Sequence, residues 1–321
     1  MVGVLQMPVL KVNARGHAPH LHGAGDLDAA LKAMLVDLPP GAPIVVLVHG
    51  YKFSPISGSA CPHSHILSLN PQPGCKKAVS WPRHLGFGRG EAAEGLCIAF
   101  GWAARGTIWQ AWRRAALAGV ALADLIERIR VLRPDGVDIV AHSLGARVTL
   151  AAVRALPARS VGRVVLMAAA DYRGAAHAVL ATPAGRTAEF VNITSRENDV
   201  FDCLMEWLLP RRGDRALGAG LGRQKPNWLD IQMDCDATRA ALADLGYRIP
   251  APARRICHWS AYLRPGLFGL YRDLIRNRHA LPLACLRRVL PAEPASRWSR
   301  MWPELPKFAL SKRLLPRRHP T

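Results

Sequence analysis

The sequence predicts an α/β fold: a doubly wound, mostly parallel sheet with helices on both faces and lid or cap insertions. Three observations predict it. Short strand-like, mostly apolar segments recur at 44–48, 96–100, 137–141, 163–168 and 189–194. Helix-periodic stretches separate them, and strands that alternate with helices pair in parallel through right-handed crossovers. Ser143, His49 and the segment after Thr194 all fall at the carboxyl ends of predicted strands, where ligands sit in such sheets.

Residues 8–13 read as the first strand. Residues 26–38 carry helical spacing through Leu27, Leu31, Met34 and Leu35 and stop before Pro39 and Pro40. Residues 44–48 are uninterrupted apolar sequence, hence a central strand buried on both faces. His49, Gly50 and Tyr51 follow at once. Residues 52–92 are rich in Gly, Pro, Ser and His. An irregular segment of that length inside a compact domain points to function. It reads as a lid, with Ile66, Leu67, Leu85 and Phe87 as its apolar lining. Strand 96–100 leads to a long helix over 107–132, with Trp109, Trp112, Leu117, Val120, Leu122, Leu125 and Ile126 as apolar positions. Residues 137–141 then form a strand, Ser143 a tight turn, and 148 onward a helix. Strand 163–168, helix 174–181 and strand 189–194 follow. A second insertion covers about 211–250, with a short strand at 228–233 and a short helix at 238–245. A helix is expected over 267–278. Residues 1–289 thus make one domain, and 290–321 a basic Pro/Arg-rich tail.

The 321 residues include 43 basic and 23 acidic side chains, a net charge of +20, and 35 of the basic ones are Arg. They are spread along the chain rather than clustered with aromatics, which argues against a specific nucleic-acid interface. Weak association with an anionic membrane surface is the partner that this charge suggests. Half of the residues are hydrophobic, enough for a sizeable core. No apolar run reaches the length of a membrane span. The first residues lack a basic stretch followed by a long apolar one, so no secretory signal is read, and Met1 and Met7 are alternative starts. Seven cysteines without a CxxC pair fit a reducing compartment, hence a cytoplasmic location. A Cys61–Cys75 disulfide would require export. Cys61, His63, His65 and Cys75 match no common zinc spacing, so neither metal nor cofactor is expected.

The chemistry centres on Ala141-His142-Ser143-Leu144-Gly145. Small residues two positions either side of Ser143 let strand and helix approach, and a strained turn lifts Oγ above the sheet. A serine hydroxyl needs a base, an orienting group for that base, and donors for an oxyanion. His258, late in the chain and outside a regular element, is the candidate base. Asp199, a few residues past strand 189–194, is the first choice of acid, with Asp202, Glu197 and Asp171 as alternatives. The N–H groups of Leu144 and Tyr51 would hold the oxyanion, and His49, Gly50 and His142 would border the substrate pocket.

Val-x-Leu-Val-His49-Gly50, then Ala-His-Ser143-Leu-Gly145, Asp199 and His258, in that order, resemble the α/β-hydrolase superfamily over residues 8–275. Phe100-Gly101-Trp102-Ala103-Ala104-Arg105-Gly106, before a long helix and the serine strand, resembles a little-characterised esterase/lipase-like branch with a Trp-Pro-Ser-x-Gly segment. Here Ala103-Ala104 stands in place of Pro-Ser. The resemblance implies a serine hydrolase with a cap or lid. The expectation is therefore cleavage of a small-molecule ester or lipid-like substrate by a Ser-His-Asp triad through an acyl-enzyme. An acyltransferase and a non-catalytic binding module are the alternatives on the same fold.

Overall fold

One sheet carries the molecule. Its strands are β1 (Val9–Arg15), β2 (Ala18–Leu21), β3 (Ile44–Val48), β4 (Leu96–Gly101), β5 (Val137–His142), β6 (Val161–Met167), β7 (Glu189–Thr194) and β8 (Trp228–Gln232). Their order across the sheet is β2-β1-β4-β3-β5-β6-β7-β8, and every neighbouring pair is parallel except the edge hairpin β1–β2. The structure is a computed structural model that describes residues 8–74, 77–91, 93–209, 211, 213–292 and 294–301.

The central strands β3, β4 and β5 are buried at every position, as their unbroken apolar sequence requires of strands covered on both faces. Side chains alternate between two cores. Val46, Val48, Ile98, Phe100, Ile139 and Ala141 enter one of them. That core is closed by α1 (Leu27–Leu35), α3 (Ile108–Leu132), α4 (Gly145–Ala155), α5 (Arg173–Leu180), α6 (Pro183–Thr187) and part of α7 (Asp199–Leu208). Val45, Leu47, Cys97, Ala99 and Val140 enter the other. It is closed by α2 (Trp81–His84), α8 (Asp236–Asp244), α9 (Ser260–Leu263), α10 (Leu267–Arg276) and α11 (Leu283–Val289). Strand β2 and helices α2, α6, α9 and α11 have no counterpart among the elements expected from sequence, and α7 begins four residues before the helix that the sequence suggests at 203–209.

Two expectations about packing change. The long helix α3 starts on a capping box of Thr107 and Gln110. Yet Trp109, Leu117 and Val120, expected on its apolar side, are about half exposed. The stripe that it buries is largely small: Ala111, Ala115, Ala118, Gly119 and Ala121 sit there beside Trp112, Leu122 and Leu125. Small residues let α3 lie directly against α4, and a β-carbon on Gly119 would come within 2.5 Å of the Ala151 Cβ. The 52–92 segment also differs. Ile66, Leu67, Leu85 and Phe87, expected to line a lid, are core residues with Trp81 between them in sequence. Arg276 of α10 fastens the segment by donating to the carbonyls of Leu85 (2.7 Å) and Glu94 (2.9 Å).

The expected tail begins as part of the domain. Ala295 N–H donates to Gln232 Oε1 at 2.7 Å, and Arg297 pairs with Glu206 of α7 at 2.9 Å. Residues 302–321, the N-terminal residues 1–7 and Cys75 lie outside the described residues.

Candidate active site

Ser143 stands between the last residue of β5 and the N-terminus of α4. Its φ is +54°, a left-handed conformation that costs a non-glycine residue roughly 1–3 kcal/mol unless its surroundings impose it. They do. The Ser143 N–H donates to the Met167 carbonyl at the end of β6, and its carbonyl accepts from Ala146 and Ala170, all at 2.9 Å. The neighbouring glycines are steric requirements. A β-carbon on Gly145 would lie 2.6 Å from the Val48 carbonyl oxygen. One on Gly50 would lie 2.8 Å from the Ser143 Cβ. The elbow therefore fits only against the turn that follows β3.

His258 lies in the irregular chain before α9 and reaches the elbow from the other side of the sheet end. Ser143 Oγ and His258 Nε2 are 2.8 Å apart. Three contacts hold the histidine in place. His142 Nε2–H donates to the His258 carbonyl at 3.2 Å. Cys257 N–H donates to the Glu197 carbonyl at 2.9 Å. The Phe201 ring lies against the imidazole with centroids 4.8 Å apart. Elbow, β7 loop and histidine loop are thus bonded to one another.

The partner on His258 Nδ1 is Asn198 Oδ1, at 2.6 Å. This corrects the expectation for Asp199. Helix α7 begins at Asp199, and its first turn carries that side chain away from His258. It pairs instead with Arg196 at 3.1 Å and accepts from Trp298 N–H at 2.7 Å. Glu197 is a buried partner of Arg264 and of Ser195 Oγ. Asp171 accepts from its neighbour Tyr172 N–H and pairs with Arg147 at 3.6 Å. Asp202 meets Asn198 rather than the imidazole. An amide can replace a carboxylate here because an N–H donor needs only an oxygen acceptor. A search for acids passes over Asn198, and its only sequence signal is its place in the loop that supplied three acidic candidates.

Burial fixes the protonation states. It lowers His258 well below the ordinary histidine value, with smaller contributions from His142 and from Lys77, so the imidazole is neutral at neutral pH. With Nδ1–H given to Asn198, the Nε2 lone pair faces Ser143 Oγ–H. Burial also lowers His142 to about 4 and His49 to about 4. His49 was expected to border a pocket, and that is corrected too. Its ring is fully buried, Nδ1–H donates to the Gly50 carbonyl, and Nε2 accepts from Trp102 N–H at 3.0 Å. It is a brace for the Gly50 turn. Gly50 touches the elbow, and His142 is buried among Trp81, Tyr262 and His258. Neither Leu144 N–H nor Tyr51 N–H has an acceptor among the described residues. The Tyr51 hydroxyl donates to the Gly106 carbonyl.

Among the described residues no group of three His, Cys, Asp or Glu side chains converges to hold a metal ion. A cavity of about 480 Å³ opens at the β8 edge beside Thr194, Gln232, Arg173 and Arg287, and Ser143, His258 and Asn198 are not part of its wall.

The architecture, an eight-stranded and mostly parallel sheet covered by helices on both faces, is consistent with an α/β-hydrolase fold. No protein-family model and no curated protein matches the chain. Among solved structures, 21 chains are similar. One is lipase B of Aspergillus fumigatus, at 15% identity and a TM-score of 0.38, covering 88% of this chain and 66% of the lipase. This chain therefore spans just under two thirds of the lipase's length. A likeness that distant assigns neither substrate nor activity.

Proposed function

We propose that the protein is a serine hydrolase of carboxylic esters, with Ser143 as nucleophile and His258 as base. The observation that carries this reading is the continuous hydrogen-bond chain from Ser143 Oγ through His258 to Asn198. As Oγ attacks the ester carbonyl carbon, its proton passes to His258 Nε2. The Oγ–C bond forms, the carbonyl oxygen takes the negative charge, and the N–H groups of Leu144 and Tyr51 receive it. The imidazolium returns its proton to the leaving alkoxide as the C–O bond breaks. Water then repeats the sequence on the acyl-enzyme, with His258 again as base. Asn198 fixes the tautomer throughout. These steps require only groups of the chain and water.

The substrate follows from what surrounds the histidine. Phe201 and Trp259 lie against its ring, at 4.8 and 6.1 Å between centroids. Apolar, medium-chain or lipid-like acyl groups fit such a border. The exposed Trp109 and Trp207, with a net charge of +20, support weak attraction to an anionic membrane surface. Free thiols at Cys61, Cys97, Cys203, Cys235, Cys257 and Cys285 support a reducing, cytoplasmic setting.

Hydrolysis of p-nitrophenyl esters by wild type and Ser143→Ala tests the reading. Turnover of octanoate above acetate, lost in Ser143→Ala, is expected. Equal turnover by the two proteins would exclude Ser143 as the nucleophile.

A further inference from the structure

The chain of hydrogen bonds does not end at the Asn198 amide. Asn198 Nδ2 donates to Asp202 Oδ1 at 2.9 Å. Asp202 lies four residues further along the start of α7, so the two side chains leave the same face. Its carboxylate is buried, and the second oxygen, Oδ2, has no hydrogen-bond partner among the described residues. Gly218 makes the space, because a β-carbon there would overlap the carboxylate. The charged groups that face Asp202 are Arg196 from the turn before α7, Arg297 from the 294–301 segment, and Asp199 on α7 itself. Arg196 is paired with Asp199, and Arg297 with Glu206. Asp202 forms no ion pair among the described residues. A buried carboxylate with one hydrogen bond is costly, and this one spends that bond on the residue that contacts His258.

Resting on the serine-hydrolase reading, we propose that Asp202 is a positioning residue that divides the role of the triad acid with Asn198. Asn198 touches the imidazole, and Asp202 supplies the negative charge behind it. An ionised carboxylate can only accept. It therefore holds Asn198 Nδ2 and aims Oδ1 at His258 Nδ1–H. A protonated Asp202 carries a donor of its own, which favours the flipped amide. Nδ2 would then face His258 Nδ1, the ring proton would move to Nε2, and the lone pair needed by Ser143 would be gone. Burial raises Asp202 to about 7, while His258 is neutral well below that pH. The changeover thus falls near neutrality and belongs to Asp202, not to the histidine.

The test is the rate at which a fluorophosphonate labels the folded protein, measured between about pH 5 and 9. In wild type the rate rises about tenfold or more as Asp202 ionises around pH 7. In Asp202→Asn it stays near the low plateau and the rise disappears. The exchange Asn198→Asp with Asp202→Asn puts the carboxylate directly on the imidazole. It restores fast labelling and moves the rise below the wild-type one. Asp202→Asn that keeps the wild-type rise, at any absolute rate, overturns the proposal. So does an exchanged variant that keeps the rise near pH 7, a comparison that stands even where the single variant fails to fold. Absence of labelling in wild type would overturn the serine-hydrolase reading and this inference together. Labelling with an unchanged rise overturns this inference alone.

Discussion

Asp199 and Asn198 are adjacent in sequence and opposite in role. The Asp199 carboxylate lies in a buried pair with Arg196, both side chains being at most 2% exposed. Removing one member of such a pair leaves an uncompensated charge, at a cost of about 3 kcal/mol. Asp199→Asn is therefore expected to lower the melting temperature while the folded fraction keeps the labelling rate of the high-pH plateau, as thermal melts and fluorophosphonate kinetics at about pH 9 together would read. A greater loss of rate than of stability would return Asp199 to the site. His63 gives a second residue-scale prediction. It is bonded to Asn13 Oδ1 at 2.7 Å, and burial lowers it to about 2. Below the unfolded value of 6.5 the unfolded chain binds a proton that the folded one refuses. Stability present above pH 6.5 is therefore lost as pH falls, by about 1.4 kcal/mol per unit for this group. Relative to wild type, His63→Gln should gain stability by that amount per unit between pH 6.5 and 4 in urea titrations. A pH-independent difference would show that His63 is protonated in the fold.

At the scale of elements, the serine turn depends on two strand ends that leave no room. Gly50→Ala would drive a β-carbon to 2.8 Å from the Ser143 Cβ and 3.0 Å from the His142 carbonyl oxygen. The turn must shift, at about 1–3 kcal/mol, and labelling should slow by about tenfold or more because the reacting geometry shifts with it. Wild-type labelling in Gly50→Ala would mean that the turn and the elbow move independently. This turn was legible in the sequence because every part of it is local: apolar strand, small residues, serine, helix. His258 was legible only by order and by lying outside a regular element. Asn198 was not legible, because which of the consecutive polar residues from Ser195 to Asp199 faces the histidine depends on where α7 begins its first turn. The same phase dependence misled the reading of α3. There Trp109, Leu117 and Val120 fall on the exposed side while Trp112, Leu122, Leu125 and Ile126 are buried, and alanine and glycine fill much of the buried stripe. The insertion 52–92 is irregular by composition, yet Ile66, Leu67, Trp81, Leu85 and Phe87 anchor it in the core.

At the scale of the molecule, the basic charge is the property that no single contact explains. Many arginines are spent on backbone carbonyls: Arg133 on Leu38 and Pro39, Arg173 on Ala219 and Gly220, Arg276 on Leu85 and Glu94. The excess still leaves a net +20. With Trp109 and Trp207 exposed at 50% and 80%, anionic vesicles should retain the protein at low ionic strength and release it as salt screens the attraction. Retention that is independent of salt, or absent at low salt, would contradict a charge-driven association.

The central claim is that Ser143 is a nucleophile activated by His258, and its most direct measurement is the site of attachment of a fluorophosphonate, read by peptide mass spectrometry. The account predicts one adduct per folded chain, on Ser143, absent from Ser143→Ala and slowed strongly in His258→Ala. A folded wild-type protein that takes up no probe, or carries it on another residue, would contradict the account.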